Sequence, residues 1–200
     1  MVENTFIGNV IFENDIKQTI QDIEADGWIV ERINVNRNDP VTTVKQQIIN
    51  VYNSDIANTK ALYLLGNVPV PYSGLIYADG HINQNGAWPA DIYYGDMDCT
   101  WTDVTVNDID ANRFENHNVP GDGKFDQSIL PSLVELQVGR VDLSNIPAFS
   151  ISEEDLLIEY MNKARNYKIR AIIPNERSLI DNNFTSQPEG FASSGYKTFQ

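Results

Sequence analysis

Ala61-Leu62-Tyr63-Leu64-Leu65, closed by Gly66, decides how the rest of the chain is read. Five apolar residues between a lysine and a glycine are too few for a buried helix. They lack the alternation of a strand wetted on one face, and fit a strand covered on both, as in a parallel sheet. The residues upstream supply helices for such a sheet. Asn14 is placed to cap a helix in which Ile16, Ile20 and Ile23 recur at helical spacing, and Gly27 is placed to end it. Trp28 to Val35 alternates loosely and predicts a strand. Asp39-Pro40 reads as a cap followed by proline at the first helical position, with Val44, Ile48 and Val51 as the buried stripe. Downstream, Val134 to Val138 predicts a second short apolar strand that ends at Gly139-Arg140. Ser152 and Asp155 form a capping box ahead of Leu156, Leu157, Tyr160, Met161 and Ala164. Ser178 to Ile180 is a last strand candidate. Short strands alternating with helices predict an α/β fold on a parallel sheet with right-handed crossovers.

Composition narrows the function classes. The chain has 200 residues, enough for one core, and 42% of them are apolar. Its 28 acidic residues against 14 basic ones give a formal charge of −14. That excess repels phosphate backbones and anionic lipid heads, so neither nucleic acid nor a membrane surface is an expected partner. One cysteine, Cys99, leaves no internal disulfide. No stretch is long and apolar enough for a membrane helix. Met1 to Val10 has no basic n-region, which predicts either a cytoplasmic chain or one that begins inside a longer precursor. The expected layout is an α/β unit over residues 1–184, a long Asn/Asp/Gly-rich insertion at 66–132, and a truncated or disordered tail at 185–200.

The insertion holds the candidates for chemistry. Asp91, Asp96, Asp98, Asp103, Asp108, Asp110, Glu115, Asp122 and Asp126 are opposed there only by Arg113 and Lys124. Carboxylates crowded on a flexible loop suit a hard cation, and calcium takes such oxygen ligands. The metal candidates are Asp96, Asp98, Asp103, Asp108, Asp110, Asn112, Asp122 and Asp126. None completes an EF-hand: Arg113 stands where its glycine belongs, and Pro120 and Ile129 fall on ligand positions. The other reading is a solvated loop whose Asx side chains bond their own backbone in turns. Cys99 with His81 or His117 is the only thiol and imidazole set, but carboxylates flank Cys99 and disfavour the thiolate that catalysis needs. No residue is assigned a catalytic role. A phosphate-binding glycine loop, zinc-ligand spacing and a nucleophile elbow are all missing from the sequence. The aromatics Tyr72, Trp88, Tyr93, Tyr94 and Trp101 either line a substrate groove or pack the loop against the sheet edge.

Three strings, in order, resemble the gingipain-like cysteine peptidases. Leu62-Tyr63-Leu64-Leu65-Gly66-Asn67-Val68-Pro69-Val70-Pro71-Tyr72 is similar to that family's strand and exit loop. Trp88-Pro89-Ala90-Asp91-Ile92-Tyr93-Tyr94-Gly95-Asp96 resembles the tyrosine-rich segment that follows, and Val134-Glu135-Leu136-Gln137-Val138-Gly139-Arg140-Val141-Asp142 resembles the next strand. The resemblance covers about residues 10–184. It implies a caspase-like, three-layer α/β/α sandwich, incomplete at its C-terminal end, from a secreted or cell-surface, calcium-binding peptidase that acts on proteins or peptides. The family's His–Cys dyad matches none of Cys99, His81 and His117, so the expectation is a scaffold half that is inactive alone. The alternative is a non-catalytic module of the same fold that binds a partner or glycan.

Overall fold

A computed structural model describes residues 1–77, 80 and 82–175. The chain divides into two units, Met1–Asn162 and Lys163–Gln200. His81, the strand candidate Ser178 to Ile180 and the tail 185–200 lie outside the described residues.

The first unit is built on four parallel strands, β1 (Val2–Glu3), β2 (Asn34–Val35), β3 (Ala61–Leu65) and, at Gln137–Val141, the strand called β6 below, in the order β2-β1-β3-β6. The decisive run Ala61–Leu65 sits inside this sheet, and alternate residues go to opposite faces. Leu62 and Leu64 pack with Met1, Val35, Val44, Ile48, Tyr94 and Leu136, whereas Tyr63 and Leu65 pack with Val2, Phe12, Ile16, Leu157 and Met161. Helix α1 (Val10–Glu24) therefore covers one face and α2 (Val41–Ser54) the other, which makes an α/β fold in three layers. Helix α4 (Glu153–Lys168) joins α1 through Leu157 and Met161.

Several boundaries differ from the sequence expectation for local reasons. Helix α1 is capped by Asn9, whose Oδ1 accepts the Ile11 N–H at 2.8 Å, and Asn14 lies within the helix. Gly27 does follow the helix, with φ +93° and its N–H on Glu24 O at 2.9 Å. Pro40 itself is the α2 cap, because the Asp39 carboxylate takes the Asn36 N–H at 2.9 Å instead. Of Trp28–Val35 only Asn34–Val35 pairs, since its neighbour β1 is two residues long. Strand β6 begins at Gln137, not Val134, because Glu135 N–H and Leu136 N–H both bond Gly95 O at 3.1 Å. The capping box on α4 forms as expected, with Asp155 N–H on Ser152 Oγ at 3.1 Å.

The 66–132 insertion is more ordered than a loop. It contains an antiparallel hairpin, β4 (Tyr72–Tyr77) and β5 (Asn85–Pro89), and a short helix α3 (Ile92–Gly95). Gly74, at φ +88° inside β4, accompanies a register shift between Ser73 and Ile76 that blurs the period-2 pattern. In the second unit, Lys163–Lys168 completes α4, and Arg170 at φ +59° turns the chain so that Ala171 N–H bonds Asn166 O at 2.9 Å.

Candidate functional site

Parallel α/β sheets bind ligands beyond the carboxyl ends of their strands. Here that edge is wired by charge. Gly66, at φ +85°, ends β3, and any Cβ on it would come within 3.0 Å of Glu3 Cβ. The chain then runs to Val68 and Pro69. Arg140 of β6 reaches the same place: its Nε and Nη2 donate to the Asp91 carboxylate at 2.7 and 2.8 Å. It also donates to the carbonyls of Val68 and of Pro69, the latter at 3.2 Å. Tyr94 Oη donates to Pro69 O at 2.8 Å. A bidentate pair fixes both position and plane of the guanidinium. At the end of β1, the buried Glu3 carboxylate accepts from Arg37 Nη2 at 2.7 Å and Thr5 Oγ1 at 2.6 Å, and Arg37 reaches Glu153 at 3.2 Å. Burial alone pushes the Glu3 carboxyl up. The Arg37 and Thr5 hydrogen bonds outweigh it and hold the group below the usual range.

The candidate groove aromatics separate into two groups. Tyr93 and Tyr94 are core residues; Tyr93 stacks on Phe125 at 4.3 Å, and burial pushes its phenol up to about 12. Tyr72 lies in β4 and its carbonyl accepts the Phe125 N–H at 2.9 Å. Trp88 and Trp101 alone line a cavity of about 340 Å³, together with Asp91, Gln127, Ile129 and Leu130. Ile129 is 84% exposed on its rim.

The acidic residues mostly hold backbone. Asp126 accepts N–H groups from Val104, Thr105 and Val106 at 2.8–3.0 Å. Burial pushes its carboxyl up, but these amides and Thr102 prevail and keep it well below the carboxylate range. Asp103 accepts from Gly121 and Gly123 at 2.7 and 2.8 Å, and both glycines have positive φ, so their N–H groups converge on one anion. Asp122 accepts from Val119 and Lys124 in the same turn. Asp108 accepts from Asp110 N–H at 3.1 Å, and Asn112 is exposed, its N–H on Asn83 O. These candidates are not brought around one point. Asp96 and Asp98 are brought together, with Cys99: each offers a ligand atom within 4.8 Å of the others, and the three could hold a metal ion.

Asp96 is fully buried. It accepts from Cys99 N–H at 3.2 Å, Trp101 Nε1 at 3.0 Å and Ser132 Oγ at 3.3 Å, while Asp98 accepts from Ser132 Oγ at 3.0 Å. Two carboxylates and a hydroxyl are hard ligands that suit calcium, whereas the Cys99 thiol is soft. Buried Lys45 of α2 donates to the carbonyls of Tyr93, at 2.6 Å, and Asp96, tying this segment to the sheet. Burial lowers its pKa to about 8. His117 lies elsewhere, with Nε2 2.8 Å from Ala111 O; a carbonyl only accepts, so this nitrogen carries the proton. Lys45, Arg37 and Arg140 were not among the sequence candidates. Their scarcity in so acidic a chain was the available signal.

Fold and site together define an α/β protein with a parallel sheet and a charge-fastened carboxyl edge. Searches against family models, curated proteins and solved structures return no match to the chain.

Proposed function

We propose that this chain is the scaffold part of a secreted, gingipain-like cysteine peptidase domain of caspase-like fold. One observation carries the reading. The three strings that resemble the family are far apart in sequence and meet at Arg140, which bonds Asp91 and the carbonyls of Val68 and Pro69. Their meeting point is the carboxyl edge of the parallel sheet, where such folds bind substrate. The Cys99 thiol lies beside the Asp96 and Asp98 carboxylates and His117 Nε2 bonds Ala111 O, so on this reading neither acts as the dyad. On this reading the chain does not cleave peptides by itself. In the full-length gene product, a cysteine-directed peptidyl probe is expected to label a residue other than Cys99. Peptide hydrolysis that disappears in Cys99→Ala would overturn the assignment.

Calcium belongs to this reading through Asp96 and Asp98, which would hold it with Ser132. Bound to the folded state alone, it raises Tm by mass action, and Asp98→Ala abolishes the rise. An unchanged Tm in millimolar calcium and in chelator counts against it. The second reading, a glycan- or partner-binding module, is favoured by the cavity that Trp88 and Trp101 line. It requires that the full-length product bind ligand with no reactive cysteine, and that Trp88→Ala reduce that binding.

A further inference from the structure

The cavity of about 340 Å³ opens beside the carboxyl edge, where Asp91 belongs both to its wall and to the grip of Arg140. It lies in the size range of ligand pockets. Its two indoles are locked in place. Trp101 donates through Nε1 to Asp96 at 3.0 Å and stands edge-on to Tyr93 and Phe125, with ring centres 5.4 and 5.6 Å away. Trp88 donates through Nε1 to Gln84 O at 3.2 Å. The wall is therefore set before anything enters. Its polar side chains all have partners within the chain. Asp91 has both oxygens on Arg140, at 2.7 and 2.8 Å. Gln127 accepts the Thr102 N–H at 3.2 Å and donates to Thr102 Oγ1 at 2.9 Å. Ser73 donates to Gln127 O at 2.7 Å, and Ser128 Oγ accepts the Leu75 N–H at 2.9 Å. Of the backbone, the carbonyls of Ala90, Asp91 and Ile92 accept the amides of Tyr93, Tyr94 and Asp96. What the wall offers without a partner is apolar: the indole faces, Ile76, Ile92 and, at the rim, Ile129 and Leu130, which are 84% and 46% exposed.

The complement of such a surface carries no charge. A sugar would bring hydroxyls that lose water and gain no partner in return. An ammonium or guanidinium would meet a carboxylate that Arg140 already neutralises and occupies. A neutral hydrocarbon group loses nothing on entry and takes apolar area out of water with it. We propose that this pocket takes an uncharged apolar side chain, of the size of leucine or phenylalanine, from a bound peptide. The proposal rests on the reading of the carboxyl edge as the place where a peptide substrate lies, and adds to it the class of residue recognised there. Ile129 and Leu130, which stand in water in the free chain, are covered when that side chain enters.

The test follows the indole N–H resonances of the full chain as N-acetyl amino acid amides are added. The leucine and phenylalanine amides are expected to shift those of Trp88 and Trp101 saturably, and to bind about tenfold or more tighter than the alanine amide. Trp28, in the wall of a separate cavity, is expected to stay unmoved and serves as the control. The arginine amide and methyl β-glucoside are expected to move none of the three. Trp88→Ala removes one wall and abolishes the shift of Trp101. Ile129→Asp, at a site too exposed to matter for folding, is expected to weaken the leucine amide about threefold or more. Equal affinity for the leucine and alanine amides overturns the proposal. So does a preference for the arginine amide or the glucoside, or an Ile129→Asp variant that binds the leucine amide as the parent chain does. Catalysis has no part in this readout. A full-length product without a reactive cysteine therefore sinks the peptidase assignment alone, and one that hydrolyses peptides while its indoles ignore the leucine amide sinks the pocket alone.

Discussion

At the carboxyl ends of the strands, charged side chains fasten the chain to itself; at the amino ends, apolar side chains from both helical layers line a cavity of about 380 Å³ whose wall also includes Glu31, Arg32 and Lys60. Arg140, Asp91, Glu3 and Arg37 make directional bonds at the first edge, so each segment there has one position. Ile20, Ile23, Ile48 and Val51 at the second edge make apolar contacts, which carry no preferred direction. The contrast suits a sheet whose carboxyl edge must hold loops in register, while its amino edge has only to be covered.

Four measurements can break or sharpen that contrast. The largest effect is expected from the shared core. Leu64 is fully buried between the layers, and Leu64→Ala should cost about 4 kcal/mol by chemical denaturation. A loss below about 1 kcal/mol would mean that the sheet is not packed on both faces. Next is Arg140→Met, which strands Asp91 and two carbonyls and should cost about 3 kcal/mol. Adding Asp91→Leu should recover much of it, because the unpaired carboxylate is the main penalty. If the single variant is as stable as the parent chain, the polar edge does not hold the loops.

A smaller effect appears with pH. The folded Glu3 carboxyl sits below its ordinary value of about 4.5. As pH falls from there, the unfolded chain takes up a proton before the folded one, so stability is held above that pH and lost below it. Arg37→Gln removes the main group holding Glu3 down. The fall in Tm between neutral and acid pH should then be shallower; an unchanged slope excludes Glu3 as its source. The smallest effect is Asp126→Asn, about 1 kcal/mol, since one carbonyl oxygen replaces a carboxylate that serves three amides. Proteolysis between Thr102 and Val106 should quicken in that variant, and unchanged cleavage would show that the amides hold without it.

Much of the sheet was legible in the sequence because its residues are judged by their neighbours in the chain. Ala61–Leu65 and the Ser152–Asp155 box carry their own pattern, and both fall where expected. Strand β1 did not read as a strand, because two residues are too short to carry any period. The hairpin β4–β5 was hidden by Gly74 and its register shift. The site was harder still. Nothing local to Arg140 says that it meets Asp91, 49 residues away. The acidic run looked like a ligand set because spacing cannot distinguish a carboxylate aimed at a cation from one aimed at a backbone N–H. Asp103 between Gly121 and Gly123 is the clearest case.

The grip of Arg140 has a consequence for how this architecture tolerates change. By holding Val68, Pro69 and Asp91 in one hand, it fixes the exit of β3, while Phe125 and Trp101, packed in the core beside Tyr93, fasten the stretch between Asp98 and Ser132 to the same sheet. A foreign graft in that stretch therefore has to spare those two rings and belongs among exposed residues such as Arg113, Phe114 and Glu115, much as a clasp lets a pendant be exchanged without restringing the necklace.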